Sequence, residues 1–229
     1  MVESLSSSEF ERAHDLPDWR ILLNRVEAVF RAGSFSAASD LVGAIATAAD
    51  AADHHPDIGV RYPDRVHVVL ATHAAGPAGP GWALTERDAD LAATISRLAA
   101  ERGATSEPLA SQSVEIAIDA MDIDLVRPFW QAVLGYEPVA VDPRATVRDL
   151  VDPSRTGSPL WFQQMDEPRS QRNRIHIDVT VPHDVAEDRV QAAIAAGGTL
   201  LTDRYAKAYW VLADPEGNEA CVCTWQDRD

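Results

Sequence analysis

Residues 66–73 read Val-His-Val-Val-Leu-Ala-Thr-His, a stretch in which one side of the chain carries Val66, Val68, Leu70 and Thr72. This period of two residues is typical of a half-buried β-strand, because successive side chains on a strand point to opposite faces. We therefore expect a strand that ends at His73.

Two helices are predicted around this strand. Upstream, apolar residues recur at helical spacing between positions 38 and 49, and Ser34 or Ser36 is available as the N-cap. Downstream, Thr85 and Asp88 resemble a capping box ahead of a second apolar helical pattern, with aspartate in place of the usual Glu or Gln. The first part of the chain therefore combines strand and helix.

Two further segments of this part are less decisive. Residues 74–83 are rich in glycine and proline and predict a loop between the strand and the second helix. Residues 19–30 fit a helix or, in part, a strand, and their periodicity leaves both interpretations open.

The second part of the chain contains one order of elements twice, which predicts two βαβββ units about 60 residues apart. Glu115 and His176 occupy matching positions on the two first strands. The predicted elements are a strand at 114–119, a helix over 125–134 closed by Gly135 and about three strands up to 165, then a strand at 175–181, a helix over 190–194 closed by Gly197 and strands near 199–203, 208–213 and 219–225.

The stretch 101–112 separates the two parts because it contains Gly103 and Pro108 and lacks periodicity. Each flanking part is long enough to form its own core. We therefore predict an α+β protein with a domain at 1–103, a linker at 104–112 and a second domain at 113–229.

Composition excludes several classes of protein. The 229 residues are 46% hydrophobic and 24% charged, as in ordinary globular proteins, and no apolar run approaches the roughly 20 residues of a membrane helix. The net charge of −16 repels phosphate backbones, so we expect no nucleic-acid partner and no membrane partner. The acidic, polar residues 1–15 do not resemble a signal peptide, and Cys221 and Cys223 are poorly placed to bridge each other, so we expect a reducing, cytoplasmic location.

Three of the seven histidines, His54, His55 and His73, lie at predicted element boundaries. Imidazole exchanges protons near neutral pH, so two or three histidines could divide the roles of proton donor and acceptor in acid–base catalysis. In the alternative interpretation, His54 and His55 stabilise the C-terminal end of a helix and His73 is a surface residue at a strand end.

Three strings resemble the pterin-4a-carbinolamine dehydratase family: His54-His55-Pro56-Asp57, residues 66–73, and Leu84-Thr85-Glu86-Arg87-Asp88. The resemblance covers about residues 17–100. It implies a sheet backed by helices, assembly into a homodimer or homotetramer, and removal of water from 4a-hydroxytetrahydropterin without a metal or cofactor.

The resemblance also implies residue roles. His54 and His73 would act as general acid and base on the 4a-hydroxyl and the ring N–H, while His55, Thr72 and Asp88 would help bind the pterin. In the alternative interpretation, Asp88 is fully explained as a carboxylate in the first turn of a helix, where it stabilises the N-terminus. His67 receives no role and is interpreted as a surface residue.

The sequence departs from this family between His73 and Leu84, where the segment 74–83 is longer by several residues. Because it borders the expected pocket, this segment could reshape the site, add Trp82 as a stacking surface or prevent turnover.

Residues 113–227 resemble the vicinal-oxygen-chelate superfamily, and within it glyoxalase-like domains, through the doubled pattern and the strings at 129–136, 173–178 and 214–219. This resemblance implies a cup that binds a second small ligand. In an alternative interpretation, Glu115 and His176 line this cup and pair with each other or with Arg174.

Metal-using members of the superfamily place one ligand on each of four strands. The candidate ligands here are Glu115, Gln163, His176 and Cys221. Because a thiolate favours softer ions than a carboxylate or an amide does, this mixture is unusual, and we expect no physiological metal.

The whole chain is therefore predicted to be a hydro-lyase, a 4a-hydroxytetrahydrobiopterin dehydratase with an accessory glyoxalase-like domain. A non-catalytic protein that binds a small molecule and a regulatory dimerisation module are the alternatives.

Overall fold

The computed structural model describes residues 4–76, 79–139, 149–169, 171 and 175–227. These residues form two compact units that meet in the sequence between Ser113 and Val114. Both units combine helices with sheets, which confirms the α+β class. Within the described residues, no helix has the length and apolarity needed to cross a membrane.

The first unit contains an antiparallel sheet and two long helices. The strands follow the order β1-β2-β4-β3. β7 pairs with the last two residues of β2, on the same edge of β2 as β1. β5 and β6 form a separate hairpin. Its elements are α1 Ser7–Ala13, β1 Arg20–Leu22, β2 Arg25–Arg31, α2 Phe35–Ala52, β3 Asp57–Arg61, β4 Arg65–Leu70, β5 Thr72–Gly76, β6 Gly79–Ala83, α3 Glu86–Glu101 and β7 Thr105–Ser106.

The core of this unit lies between the sheet and the two long helices. The inward side chains of β2 and β4 alternate along each strand and are fully buried. Most of the apolar positions predicted for the helices are buried as well, whereas Val42 and Leu98 are half-buried and Ala46 is exposed. The members that carry the core are Val26, Ala28, Phe30, Val66, Val68 and Leu70 of the strands and Leu41, Ile45, Leu91 and Ile95 of the helices.

Both predicted helices are confirmed. Ser34 caps α2 by accepting a hydrogen bond from the backbone N–H of Ala37 at 3.1 Å, and Thr85 and Asp88 form the capping box that begins α3. For residues 19–30, the strand interpretation is correct. Leu23 and Asn24 have φ angles of 50° and 58°, so they form the two-residue turn that joins β1 to β2, a feature that periodicity does not reveal.

The predicted strand over 66–73 is in fact two strands. β4 ends at Leu70 and pairs with β2 and β3, whereas β5 begins at Thr72 and pairs with β6. His73 therefore lies inside a hairpin rather than at a strand end, and most of the predicted loop 74–83 belongs to that hairpin. The alternation of side chains continues from β4 into β5, so the sequence pattern does not reveal that the two strands pair with different neighbours.

The predicted linker 104–112 begins as part of the first unit. Thr105 and Ser106 pair with Arg31 and Phe30, and the backbone N–H of Glu107 donates to the carbonyl of Val29 at 2.8 Å. A two-residue strand is too short to show periodicity, which is why the sequence suggested a linker here.

The second unit has the predicted doubled βαβββ order. Its two sheets follow the orders β8-β11-β10-β9 and β12-β15-β14-β13, and Gly135 and Gly197 end their helices with positive φ angles of 70° and 98°. Its elements are β8 Ile116–Ala120, α4 Ile123–Leu134, β9 Glu137–Val139, β10 Asp149–Val151, β11 Leu160–Gln164, β12 Ile177–Thr180, α5 Ala186–Ala195, β13 Thr199–Thr202, β14 Tyr209–Ala213 and β15 Glu219–Cys223.

The string at 214–219 joins the two βαβββ modules. Nε1 of Trp130 on α4 donates to Oδ2 of the buried Asp214 at 2.9 Å. The Glu216 carboxylate accepts from the backbone N–H groups of Met121 and Asp122, at 2.8 Å and 2.7 Å, immediately before α4. These contacts give the string a structural role.

Candidate functional site

A buried carboxylate, that of Asp88, lies at the centre of the candidate site in the first unit. Its Oδ1 is 2.7 Å from Nε2 of His54, and both side chains are buried. Its Oδ2 accepts hydrogen bonds from the hydroxyl groups of Thr72 and Thr85, each at 2.9 Å, and from the backbone N–H of Thr85 at 2.8 Å. A buried carboxylate needs such partners to offset its lost hydration.

This network brings two distant chain segments together. His54 follows the end of α2 and is adjacent to His55, whereas Thr72 begins β5 and is adjacent to His73. The contacts of His54 and Thr72 with Asp88 therefore bring the two histidine-bearing segments together. Because successive side chains on a strand point to opposite faces, the side chain of His73 lies on the face of β5 opposite to that of Thr72.

The chain turn at the end of α2 aims His54 inward. Asp53 adopts the left-handed conformation with φ of 48°, and the backbone N–H of His54 donates to the carbonyl of Ala49 at 3.1 Å. Arg87, beside Asp88 on α3, donates to the carbonyls of Ala52, at 3.2 Å, and of Asp53. The two helix ends are thereby fastened to each other.

The other two histidines are exposed. Nε2 of His55 lies 3.1 Å from Oδ1 of Asp50, with 62% of the His55 side chain exposed. His73 is exposed on β5, where its register partner across the hairpin is Trp82. Sequence reasoning missed Asp50, which lies on the last turn of α2 before the His-His pair.

Trp82 is buried, with only 5% of its surface exposed, and the guanidinium of Arg25 lies 5.1 Å from the centre of its ring. The expected stacking surface is therefore covered by a side chain of β2.

Arg25 also pairs with Glu27 at 3.5 Å, and Glu27 lies 3.0 Å from Nε2 of His67. The interpretation of His67 as a mere surface residue is wrong, because its ring is half-buried against a carboxylate that is 3% exposed.

In the second unit, the proposed four-strand ligand set does not assemble. In the parallel pair β12–β15, Cys221 is the register partner of Asp178, two residues after His176. The equivalent position in the first module, opposite Ala117 and two residues after Glu115, is occupied by Trp161, whose indole has no lone pair to offer a metal.

Gln163 instead pairs with Asp119, four residues beyond Glu115. That offset is about 13 Å along the strand. Strand register sets this separation, and sequence spacing alone does not define the register. The residues that come together are His176, Asp178 and Cys221, whose ligating atoms all lie within 4.8 Å of one another.

Asp178 was missed, although its spacing of two from His176 on a strand places both side chains on one face. His176 Nε2 and Asp178 Oδ1 are 3.3 Å apart.

Burial, together with the neighbouring Asp178 carboxylate, raises the pKa of the Cys221 thiol to about 12. Arg174, the suggested alternative partner of His176, lies outside the described residues. Within the described residues, neither Cys221 nor Cys223 forms a disulfide bond.

Comparison with known proteins assigns the two parts of the chain separately. The profile of the family described as Pterin 4 alpha carbinolamine dehydratase matches residues 3–98, and that of the family described as Glyoxalase-like domain matches residues 115–223. A protein of Acidobacterium capsulatum named as a pterin-4-alpha-carbinolamine dehydratase is 44% identical over 88 residues, which are 38% of this chain and 88% of the relative.

Two solved structures are similar to parts of the chain. A transcriptional coactivator/pterin dehydratase from Brucella melitensis is 29% identical, with a TM-score of 0.36, over 42% of this chain and 99% of its own. A glyoxalase/bleomycin resistance protein/dioxygenase family enzyme from Burkholderia phytofirmans PsJN is 23% identical, with a TM-score of 0.40, over 48% of this chain and 95% of its own.

The first unit thus has the sequence of a dehydratase and the second that of a glyoxalase-like domain. The chain belongs to the pterin-4-alpha-carbinolamine dehydratase family. Both predicted resemblances are confirmed, as is the prediction of an enzyme of the lyase class.

Proposed function

We propose that the first unit eliminates water from a 4a-hydroxytetrahydropterin by histidine acid–base catalysis. The observation that carries this proposal is the Asp88 carboxylate, which contacts His54 through one oxygen and Thr72 through the other. The two histidine-bearing segments are held at one place by that carboxylate.

The reaction needs two proton transfers. A base takes the proton from the ring N–H, the nitrogen electron pair forms a C=N double bond, and the C4a–O bond breaks as an acid protonates the departing hydroxyl. Water and the quinonoid dihydropterin are the products. His54 and His73 are assigned to these transfers, and His55 to binding of the pterin.

Asp88 defines how His54 takes part. The carboxylate engages Nε2, which fixes the ring orientation and favours the tautomer with the proton on Nε2. Proton exchange with the pterin therefore runs through Nδ1. Since Asp88 also accepts three hydrogen bonds from Thr72 and Thr85, it is itself held in place.

The test is the dehydration rate of enzymatically generated 4a-hydroxytetrahydropterin with the full chain and with the His54→Ala/His73→Ala double variant. We expect the double variant to lose about 10²- to 10⁴-fold in rate, the usual contribution of general acid–base groups. His183→Ala, an exposed histidine of the second unit, is the matched control and keeps the wild-type rate.

Equal rates in the wild-type chain and the double variant overturn the histidine assignment. Tight pterin binding by the wild-type chain with no acceleration at all favours the alternative of a non-catalytic binding protein.

We further propose that the second unit binds a small ligand. Support comes from an open pocket of about 800 Å³, which is lined by His176, Asp178, Tyr205, Tyr209 and Cys221 among others. The cytoplasmic location and the homodimer or homotetramer stay predictions.

A further inference from the structure

The cluster formed by His176, Asp178 and Cys221 is built by strand register. Asp178 and Cys221 are partners on the adjacent parallel strands β12 and β15, so their side chains emerge side by side on one face. His176, two residues before Asp178, lies on the same face. The three potential ligand atoms lie within 4.8 Å of one another, and none of the three residues comes from the first βαβββ module.

This donor set is chemically different from the four-strand set that the sequence suggested. Sulfur, imidazole nitrogen and carboxylate oxygen are the three donor types that Zn²⁺ accepts, and three protein ligands leave a tetrahedral ion one open position. Mg²⁺ and Ca²⁺ favour all-oxygen sites, so the thiol selects against them. The cluster still combines a thiol with a carboxylate, which Zn²⁺ accepts together, but the amide of Gln163 has no part in it.

The surroundings of the cluster also favour a cation with an open position. The three side chains line the pocket of about 800 Å³, together with the carboxylates of Glu219 and Asp227. In the described part of the chain, no arginine or lysine lines this pocket. The lining is therefore rich in carboxylates, and the pocket has room for a further ligand next to the ion.

We propose that His176, Asp178 and Cys221 hold a divalent transition-metal ion of the zinc class in this pocket. The fourth coordination position faces the pocket and takes water or an oxygen donor of a small ligand. This site belongs to the second module alone, and neither Glu115 nor Gln163 contributes to it.

Cobalt binding to the full-length chain tests the proposal directly, because a thiolate bound to Co²⁺ gives a strong near-ultraviolet absorption band. The chain is freed of metal with a chelator under reducing conditions and titrated with Co²⁺, after which Zn²⁺ is added in competition. We expect saturation at one equivalent of Co²⁺, and loss of the band as Zn²⁺ displaces it.

Variants then identify the ligands. Cys221→Ser abolishes the thiolate band. His176→Ala and Asp178→Asn weaken Co²⁺ binding by more than about 100-fold. Even substitution of residues that only hydrogen-bond to a metal ligand typically lowers the metal affinity by about 10- to 100-fold. Asp178 is exposed, so Asp178→Asn is expected to fold, and it keeps the test decisive if Cys221→Ser fails to fold.

Two matched controls complete the experiment. Cys223→Ser removes the neighbouring buried thiol, and Glu115→Gln removes the first ligand of the four-strand set; both are expected to bind Co²⁺ as the wild-type chain does. Absence of a thiolate band in the wild-type chain, or wild-type binding by Asp178→Asn, overturns the proposal. Equal weakening by Glu115→Gln also overturns it, because the ion would then be held between the two modules.

Discussion

Nε2 of His54 lies 2.7 Å from Oδ1 of Asp88, the same carboxylate that forms the capping box at the start of α3. The two interpretations of Asp88, as a helix cap and as part of the site, are therefore compatible, because the two oxygens divide the tasks. Oδ2 satisfies the cap and Thr72, while Oδ1 is left for the imidazole. The position of His54 is thus coupled to the start of α3.

Asp88→Asn is expected to lower both stability and turnover. The new amide has an N–H donor group in place of one of the two carboxylate oxygens, both of which act as acceptors. At least one buried donor therefore loses its partner, at a cost of about 1–3 kcal/mol. The dehydration rate falls because His54 loses its orientation. The fall is expected to be smaller than the roughly 10²- to 10⁴-fold loss that follows removal of an acid–base group.

The measurement combines the dehydration rate with urea unfolding. Asp90→Asn, which changes an exposed carboxylate two residues further along α3, is the control and leaves both quantities unchanged. If Asp88→Asn loses stability but keeps the full rate, the carboxylate serves the helix alone and does not position His54.

Trp82→Ala is expected to destabilise the first unit by about 3 kcal/mol, the usual cost of removing a large buried aromatic side chain. Trp82→Phe keeps the pterin KM unchanged, because an indole that is 5% exposed beneath Arg25 has little surface left for a substrate. Urea unfolding and steady-state kinetics measure the two effects. Trp225→Ala, at a tryptophan 65% exposed, is the control and changes stability by less than about 0.5 kcal/mol. A marked rise in KM for Trp82→Phe would instead show that the ring contacts the pterin.

Local patterns predicted the elements well because their causes are local. The capping box of Thr85 and Asp88, the N-cap Ser34 and the helix ends at Gly135 and Gly197 all depend on residues within a few positions of each other. The doubled order of the second unit was equally visible, since each module repeats the same short elements.

Long-range pairing could not be predicted in the same way. The contact of His67 with Glu27 joins residues 40 positions apart, and that of His54 with Asp88 joins residues 34 apart. The register that places Trp161, rather than Gln163, opposite the residue two after Glu115 is likewise set by pairing across the sheet. A strand's own alternation identifies the face of each side chain but not the partner strand or the register.

Asp214→Asn is expected to destabilise the second unit by about 1–3 kcal/mol. The buried carboxylate accepts from Nε1 of Trp130, from Nδ2 of Asn218 and from two backbone N–H groups of the same turn, and an amide cannot accept all four. Near-ultraviolet circular dichroism of the chain during urea unfolding follows the effect. Asp203→Asn, an exposed carboxylate, serves as the control, and the dehydration rate stays unchanged in both variants. Wild-type stability of Asp214→Asn would contradict the structural role of the string at 214–219.

Glu107 fastens the start of the predicted linker to the first sheet. Its Oε2 accepts from Nε of Arg65 at 2.6 Å, and its Oε1 accepts from Nε of Arg31 at 2.8 Å. The hydrogen bonds from Arg65 and then Arg31 outweigh desolvation and hold the pKa of Glu107 below its ordinary value of 4.5. Because the folded pKa is the lower one, the contribution of this carboxylate to stability is complete above about pH 4.5 and is lost as the pH falls through the folded pKa.

Glu107→Gln is therefore expected to weaken the attachment of β7 at neutral pH and to differ less from the wild-type chain in acid. Hydrogen exchange of the Glu107 backbone N–H, which donates to Val29, reports this attachment at about pH 7 and about pH 3. Faster exchange in the variant is expected at the higher pH, with the difference shrinking at the lower. Glu101→Gln, whose partner Arg97 lies one turn away on an exposed helix face, is the control and has little effect at either pH. A difference that is constant between the two pH values would show that the paired charge of Glu107 does not hold β7.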